Sequence, residues 1–210
     1  MSALNQIAVI GIGNVGAPLA RRSRAAGYPV VVGARDVGAA RDKFQGLDIS
    51  VASPSEAAAG AGIVLLTVPA TVAVATARAL NLRHGTVLVD CTNPLRWDDG
   101  PVWTPPTEGS MTQALAAALP GVDVVKGFSH FGAEIHEDPR VGGMSADMFV
   151  AGDSVAAKAR VLELATALGY RGLDAGPARN AALLENLAVL WTQLAGTGKG
   201  RQFAFKALDR

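Results

Sequence analysis

A glycine-rich segment with glycines at its first, third and sixth positions, residues 11–16, follows directly on the apolar run Ile7–Ile10. The apolar run predicts a buried parallel strand, because strands covered on both faces are continuously hydrophobic. Gly11 permits the tight turn, Gly13 lets a diphosphate approach the backbone, and Gly16 lets the next helix pack closely on the sheet. A helical segment and a second apolar run follow, which is the setting that a dinucleotide-binding turn requires. A glycine-rich turn that binds nothing explains this context less well.

Apolar runs alternate with helical segments along the first part of the chain. The predicted strands are residues 7–10, 29–33, 49–51, 63–68, 86–90 and 122–127, and the predicted helices are residues 15–26, 37–44, 54–59, 71–80 and 111–119. Such alternation predicts an α/β protein with a doubly wound parallel sheet of the Rossmann type. Residues 97–110 are interpreted as a loop, and residues 129–146, rich in glycine, as a functional loop.

Charge and cysteine content exclude several classes of partner. The 210 residues include 19 basic and 18 acidic side chains, and no basic stripe is present, so we expect no nucleic-acid partner. No apolar run approaches the roughly 20 residues needed to cross a bilayer, so we expect no membrane partner. The single cysteine, Cys91, cannot form an internal disulfide, which favours the cytoplasm.

The residues after the second predicted strand indicate NADP rather than NAD. An NAD-binding chain normally has an acidic residue there, whereas this chain has Gly33, Ala34 and Arg35. A guanidinium binds a 2′-phosphate through charge-assisted hydrogen bonds, and a carboxylate would repel it. Asp36 could instead reach a ribose hydroxyl and favour NAD, but we interpret it as the N-cap of the next helix.

The last third of the chain predicts a smaller unit. Strands are expected at residues 148–151 and 172–174, and helices at residues 154–168 and 178–195. We therefore divide the chain into an NADP-binding Rossmann domain, residues 1–145, and a small C-terminal segment, residues 146–210, that packs on the sheet. Because the last helix is apolar over more than one face, it is expected to pack in a second layer or against another subunit.

Five segments carry a resemblance to a known family. They are Ile10–Gly16, Val31–Arg35, Leu66–Pro69, Thr92–Leu95 and Leu173–Pro177. Together they resemble the deazaflavin-dependent NADP oxidoreductases, which transfer hydride between NADP(H) and an 8-hydroxy-5-deazaflavin, coenzyme F420. The last segment, followed by a long apolar helix, is the most specific of the five. The resemblance implies a Rossmann domain with a small C-terminal segment and a homodimer.

The resemblance also implies a set of cofactor-binding residues. They are Gly11, Ile12, Gly13, Asn14, Val15, Gly16, Ala34, Arg35, Val68, Pro69, Asn93 and Ala133. The glycine-rich turn would face the diphosphate, and Ala34 and Arg35 the 2′-phosphate. Val68 and Asn93 would border the nicotinamide ribose, and Ala133 would lie against the carboxamide. Because Ala34 replaces a hydroxyl residue and a further basic residue of the family has no aligned match, the preference for NADP is expected to be modest.

The chemistry of the second substrate decides whether an acid is needed. Hydride transfer between two flat rings needs proximity and exclusion of water, whereas reduction of a carbonyl or imine needs a general acid. The candidate acids are His130, our candidate catalytic residue, and Lys126, although a lysine at a strand end is ordinarily solvated. His136 and the acidic residues around it match no standard metal-binding spacing, so no metal is expected.

Three functions are consistent with these residues. The first is an NADP-dependent oxidoreductase that passes hydride to or from a deazaflavin or a flavin. The second is an NADPH-dependent reductase of a small carbonyl or imine, with Lys126 or His130 as the acid. The third, from another class, is an NADP-binding sensor without turnover.

Overall fold

One eight-stranded sheet runs through the computed structural model, which describes residues 6–208. The strands are β1 (Ile7–Ile10), β2 (Val30–Gly33), β3 (Ser50–Ala52), β4 (Ile63–Leu66), β5 (Val87–Asp90), β6 (Leu95–Trp97), β7 (Pro101–Trp103), β8 (Asp123–Lys126), β9 (Arg140–Val141), β10 (Met144–Ser145), β11 (Asp147–Gly152) and β12 (Arg171–Asp174). The sheet has the order β12-β11-β8-β5-β4-β1-β2-β3. Strands β8, β5, β4, β1, β2 and β3 run parallel to one another, and β11 pairs antiparallel with β8. The predicted doubly wound sheet is therefore confirmed.

Eight α-helices connect the strands within the described residues. They are α1 (Gly16–Ala25), α2 (Val37–Lys43), α3 (Pro54–Ala59), α4 (Ala70–Ala79), α5 (Met111–Ala118), α6 (Ala133–Glu137), α7 (Val155–Ala167) and α8 (Ala181–Leu194). A 3₁₀ turn, Ala178–Asn180, precedes α8. Residues Ala195–Lys199 extend α8 by an irregular turn, in which the backbone of Thr197 and Gly198 leaves the helical region. Across residues 6–208, every helix is too short or too polar to cross a membrane.

Two apolar layers cover the two faces of the sheet. Because successive side chains of a strand point to opposite faces, Ile7 and Val9 of β1 belong to one buried cluster, and Ala8 and Ile10 to the other. All four are at most 1% exposed, which explains the continuous apolar run. β1 lies between β2 and β4, so the order of strands reverses there and a crevice forms at the carboxyl ends of β1 and β4.

Two segments that we interpreted as loops contain regular structure. Residues 97–110 include part of a hairpin, in which β6 pairs antiparallel with β7. Residues 129–146 include α6 and a second hairpin formed by β9 and β10. These strands have two or three residues each, too few for a period-2 pattern to be recognised. The division of the chain at residue 145 stays a prediction, and the sheet is continuous across it because β11 pairs with β8.

Side chains cap two helices as the sequence indicates. The Asp36 carboxylate accepts the main-chain N–H of Ala39 at 3.0 Å, so its predicted role as the N-cap of α2 is confirmed. Ser53 and Glu56 form the capping box of α3, in which Glu56 accepts the main-chain N–H of Ser53 at 3.0 Å.

The cap of α2 gives a first prediction. Asp36→Ala is expected to lower the free energy of unfolding by about 1 kcal/mol, because an alanine cannot accept the orphan N–H of the first turn. Because the carboxylate is engaged in the cap, the ratio of NADPH to NADH affinity is expected to stay within about twofold of wild type. That is a small effect, since a difference of 1.4 kcal/mol in binding free energy would change the ratio about tenfold. Urea denaturation and parallel titrations of both nucleotides measure the two effects. A large rise in the preference for NADPH would show that Asp36 faces the ribose instead.

Candidate functional site

The turn between β1 and α1 is held by close contacts at two of its glycines. Gly11 has φ 103°, in the left-handed region, and a Cβ there would lie 2.9 Å from the carbonyl oxygen of Thr67. A Cβ on Gly16 would lie 2.1 Å from the carbonyl oxygen of Gly11 and 2.4 Å from the Thr67 hydroxyl. That hydroxyl lies 2.9 Å from both the Ile10 and the Gly11 carbonyl oxygens. Both glycines are therefore required by the packing of the turn itself.

Gly13 is different because a Cβ there would meet no atom within 4 Å. Gly13 is exposed at the mouth of the crevice, three residues before the start of α1. The main-chain N–H groups of residues 12–15 have no hydrogen-bond acceptor in the described part of the chain. Free N–H groups at the positive end of the ten-residue helix α1 form an anion site that a diphosphate fits.

Two positive side chains lie at the β2 side of this turn. Arg35 is exposed at the end of β2 and makes no ion pair with another of residues 6–208. The Nζ of Lys43, in the last turn of α2, donates to the carbonyl oxygen of Ile12 at 2.6 Å. Ala34 between β2 and Arg35 is 6% exposed and contributes only a methyl group. Lys43 was not predicted as a site residue, because its contact with the glycine-rich turn depends on how α2 packs against that turn.

The opposite end of the crevice carries unpaired polar atoms. The amide nitrogen of Asn93 donates to the carbonyl oxygen of Ser129 at 2.6 Å, which joins the segment after β5 to the segment after β8. The Asn93 Oδ1 and the Ser129 Oγ are buried without a partner among the described residues. Buried polar atoms are normally hydrogen-bonded, so these two fit the hydroxyl and amide groups of a nucleotide. Val68 and Pro69 lie before α4, and Ala133 begins α6.

His130 is fully buried beside this end of the crevice. Its Nε2 lies 3.0 Å from the carbonyl oxygen of Asp147, so Nε2 carries the proton and donates it. Burial lowers the pKa of His130 to about 4, so the ring is neutral at pH 7. Its ring centroid lies 4.1 Å from that of Phe131. The geometry favours a packing role, and the role of proton donor stays a prediction.

His136 is buried behind the same loop. Tyr170 donates its hydroxyl to the Ile135 carbonyl oxygen at 3.2 Å, so the Nδ1 of His136, 2.8 Å from that hydroxyl, carries a proton. Burial lowers the pKa of His136 to about 3. Its acidic neighbours are engaged elsewhere, since Glu134 accepts from Arg201 at 2.6 Å. Within residues 6–208, no three metal-ligating side chains are grouped.

Acid is expected to destabilise the protein through these histidines. An unfolded histidine has a pKa of about 6.5, so the unfolded state binds more protons between pH 6.5 and the folded-state pKa of about 3 for His136. Stability is therefore fully present above about pH 6.5 and falls as the pH decreases towards 4. His136→Asn, whose amide N–H can replace Nδ1–H, is expected to be less stable at pH 8 but to lose less stability on acidification. Thermal melts from pH 8 to pH 4 measure this, and an unchanged slope would contradict it.

Lys126, which we expected to be solvated, is fully buried, so that interpretation is wrong. Its Nζ lies 3.0 Å from Asp90 Oδ2, at the end of β5, and 3.3 Å from Glu185 Oε1, on α8. The carboxylates that surround Lys126 come from segments distant in sequence, so spacing alone could not have identified them. Glu185, the one charged residue of α8, was the one signal available.

The C-terminal residues pack against the loop that holds His130. Trp191 and Phe203 stack with ring centroids 5.2 Å apart, and Arg201 lies over the Trp191 ring at 5.2 Å. A Cβ on Gly132 would lie 2.3 Å from Trp191, so this glycine is required for the close approach of α8.

Asp147 is fully buried, and the positive charges that contact it keep its pKa near 2, against the rise that burial alone would cause.

The comparisons with known proteins agree with this geometry. Residues 6–94 match the family described as NADP oxidoreductase, coenzyme F420-dependent. The chain is 31% identical to the F420-dependent NADP reductase of Methanothermobacter marburgensis over 212 residues, which cover 90% of this chain and 92% of that protein. A candidate F420-dependent NADP-reductase from Arthrobacter sp. FB24 has a crystal structure with a TM-score of 0.86 and 29% identity, covering 97% of this chain and 99% of that one.

More distant structures share the fold alone. A reductive aminase from Aspergillus terreus, solved in complex with NADPH, has a TM-score of 0.65 and 18% identity, and covers 89% of this chain and 60% of that one. The fold, the glycine-rich turn and these relatives together define an NADP-dependent oxidoreductase. The chain belongs to the family of coenzyme F420-dependent NADP oxidoreductases, as its five sequence segments indicated.

Proposed function

We propose that this oxidoreductase transfers hydride between NADP(H) and a deazaflavin of the F420 type. The observation that carries the proposal is the burial of both candidate acids, Lys126 and His130, each 0% exposed and hydrogen-bonded within the protein. Reduction of a carbonyl or imine needs an accessible proton donor, whereas transfer between two flat rings does not. The name of the methanogen relative gives the acceptor class that fits this chemistry.

In this proposal the residues of the crevice bind the nucleotide and exclude water. NADPH, when bound, supplies the hydride from its nicotinamide ring. The N–H groups of the glycine-rich turn bind the diphosphate, and Arg35 binds the 2′-phosphate. Asn93, with Val68, Pro69 and Ala133, orients the nicotinamide half. The loop that carries His130 shields the ring from water, since its residues 128–132 are buried.

The test is a comparison of acceptors with NADPH as donor. The deazaflavin is expected to be reduced with the highest kcat/KM, ahead of FMN and of a panel of small ketones and cyclic imines. Faster turnover of a ketone or imine, lost in His130→Ala with NADPH affinity intact, would instead favour the carbonyl or imine reductase. Tight NADPH binding without oxidation by any acceptor would favour the sensor, for which the reductase relatives offer no support.

We also propose that the protein is a cytoplasmic homodimer that associates through α8 and the adjoining hairpin. Three large apolar side chains are exposed on this surface, namely Leu183 (66%), Leu190 (49%) and Trp97 (71%). A second copy would bury them symmetrically. The free, buried Cys91 supports a reducing compartment.

The dimer can be tested by placing charge on this surface. Leu183→Glu/Leu190→Glu is expected to convert the dimer to a folded monomer, because both carboxylates would be desolvated at the interface. Light scattering coupled to size exclusion measures the mass. Val155→Glu, at a position 79% exposed on α7, is the control and is expected to leave the dimer intact. A wild-type monomer at all concentrations would refute the proposal.

A further inference from the structure

Three charged side chains are completely buried together where β5, β8 and α8 meet. Lys126, Asp90 and Glu185 are each 0% exposed. With one ammonium and two carboxylates the cluster carries a net charge of −1, and neutral donors offset it. These are the main-chain N–H groups of Thr92 and Met111, the hydroxyls of Thr92 and Thr112, and the indole N–H of Trp103, at 2.7 to 2.9 Å. Replacing such a cluster by well-packed apolar residues often costs no stability, so we look for its role in fixing the conformation of the groups it bonds.

Lys126 has one partner that is not a carboxylate. Besides Asp90 and Glu185, its Nζ donates a short hydrogen bond to the main-chain carbonyl oxygen of Thr92. Three acceptors match the three N–H groups of an ammonium. Asp90 holds the same residue from the other side, because its Oδ1 accepts both the N–H and the hydroxyl of Thr92. Thr92 is therefore fixed at its amide, its side chain and its carbonyl.

The residue that follows this fixed peptide is Asn93. Its amide nitrogen bonds the Ser129 carbonyl oxygen at 2.6 Å, and its Oδ1 is the buried acceptor without a partner among the described residues. The orientation of the Thr92 carbonyl sets the plane of the Thr92–Asn93 peptide, and so the direction of the Asn93 side chain. Glu185 extends the same constraint to α8, since its Oε1 accepts from both Lys126 and the N–H of Met111.

We propose that Lys126 is a positioning residue, which orients Asn93 towards the nicotinamide half of NADP(H) by holding the carbonyl of Thr92. This inference rests on the proposed place of the nicotinamide at Asn93. Lys126 does not itself contact the cofactor, because its three N–H groups are bonded to Asp90, Thr92 and Glu185. Glu185 makes the orientation depend on the docking of α8, so the C-terminal segment contributes to cofactor geometry without touching the nucleotide.

The test compares the two halves of the cofactor. Lys126→Met removes the ammonium, and Lys126→Met/Asp90→Asn removes one charge of each sign and keeps the buried net charge at −1. Binding of NADPH is compared with binding of 2′,5′-ADP, which has the adenosine half alone. Both variants are expected to bind NADPH about tenfold more weakly, equivalent to about 1.4 kcal/mol, and 2′,5′-ADP as wild type does. The fluorescence emission of bound NADPH is expected to shift towards that of the free nucleotide.

A matched lysine provides the control. Lys158 is 8% exposed and likewise donates to a carboxylate, Asp174 at 2.8 Å, and to a carbonyl, Gly176 at 3.2 Å. Lys158→Met is expected to lower the melting temperature but to leave the NADPH emission and both affinities unchanged. A role of Lys126 in stability alone would make the two lysine variants behave alike.

The outcomes separate the inference from the proposed function. If Lys126→Met does not fold, the charge-balanced double variant decides the question. An unchanged ratio of NADPH to 2′,5′-ADP affinity in a folded Lys126 variant, with the ratio altered in Asn93→Ala, overturns the inference alone. An unchanged ratio in Asn93→Ala as well overturns the place of the nicotinamide and, with it, the inference.

Discussion

Gly13→Val is expected to abolish NADP(H) binding while leaving the protein folded. A Cβ at Gly13 meets no protein atom within 4 Å, the residue is exposed, and it does not have a left-handed φ. We therefore expect the free protein to accommodate valine there. The added methyl groups would occupy the space in which we propose that the diphosphate approaches the backbone. Losing two hydrogen bonds to a charged group, at about 1.5–3 kcal/mol each, weakens binding by roughly two orders of magnitude or more.

The prediction requires that the fold and the cofactor respond separately. Calorimetric titration with NADPH measures the affinity, and a thermal melt without nucleotide measures the fold. Gly196→Val is the matched control, because Gly196 also has free space at its Cβ and no left-handed φ. It is expected to leave both quantities as in wild type. Wild-type affinity in Gly13→Val would place the nucleotide elsewhere and remove the basis of the proposed function.

Gly16 illustrates why the three glycines are not equivalent. A Cβ there would collide with the Gly11 carbonyl oxygen, so Gly16→Ala is expected to disturb the turn before any nucleotide binds. A loss of binding in that variant would therefore not identify a ligand contact. Gly13 is the position that tests binding by itself.

The sheet could be predicted from the sequence because its signals are local. The central parallel strands β1, β4 and β5 are buried on both faces, so each appears as an almost continuous apolar run. The capping residues Asp36, Ser53 and Glu56 mark helix starts within three residues. The glycine-rich turn could be recognised for the same reason, since strand, turn and helix lie within about 30 residues.

Other parts of the site depend on contacts between distant segments. The partners of Lys126 lie 36 and 59 residues away in sequence, and the contact between Lys43 and Ile12 spans 31 residues. Burial makes Lys126 a poor candidate for a proton donor, and this burial depends on the packing of α8 over it. The hairpin of β6 and β7 is stabilised by α8, because the indole N–H of Trp103 donates a hydrogen bond to Glu185. Since this stabilisation comes from a distant segment, the short strands show no local sequence pattern.

The second large effect is expected at Arg35, which is exposed at the end of β2 and forms no ion pair within the described chain. Its guanidinium is free to bind the 2′-phosphate, the one group that distinguishes NADPH from NADH. Arg35→Ala is therefore expected to weaken NADPH by about 1.5–3 kcal/mol, roughly 10- to 150-fold, and to leave NADH nearly unaffected. Lys43, held on Ile12, keeps some positive charge at this end of the crevice and limits the loss.

A second arginine variant distinguishes a direct contact of Arg35 with the 2′-phosphate from a general effect of positive charge on the affinity for NADPH. Arg83→Ala removes the same charge from an exposed position before β5. This position lies at the amino-terminal end of the strands, away from the crevice, so the variant is expected to change the affinity for neither nucleotide. The effect of Arg35→Ala on NADPH is expected to shrink as the salt concentration rises, because salt screens an exposed charge pair. Dissociation constants for both nucleotides at low and high salt measure this. Equal weakening of NADPH and NADH would show that Arg35 supports the adenosine common to both, and the selectivity for NADP would then have to come from Lys43.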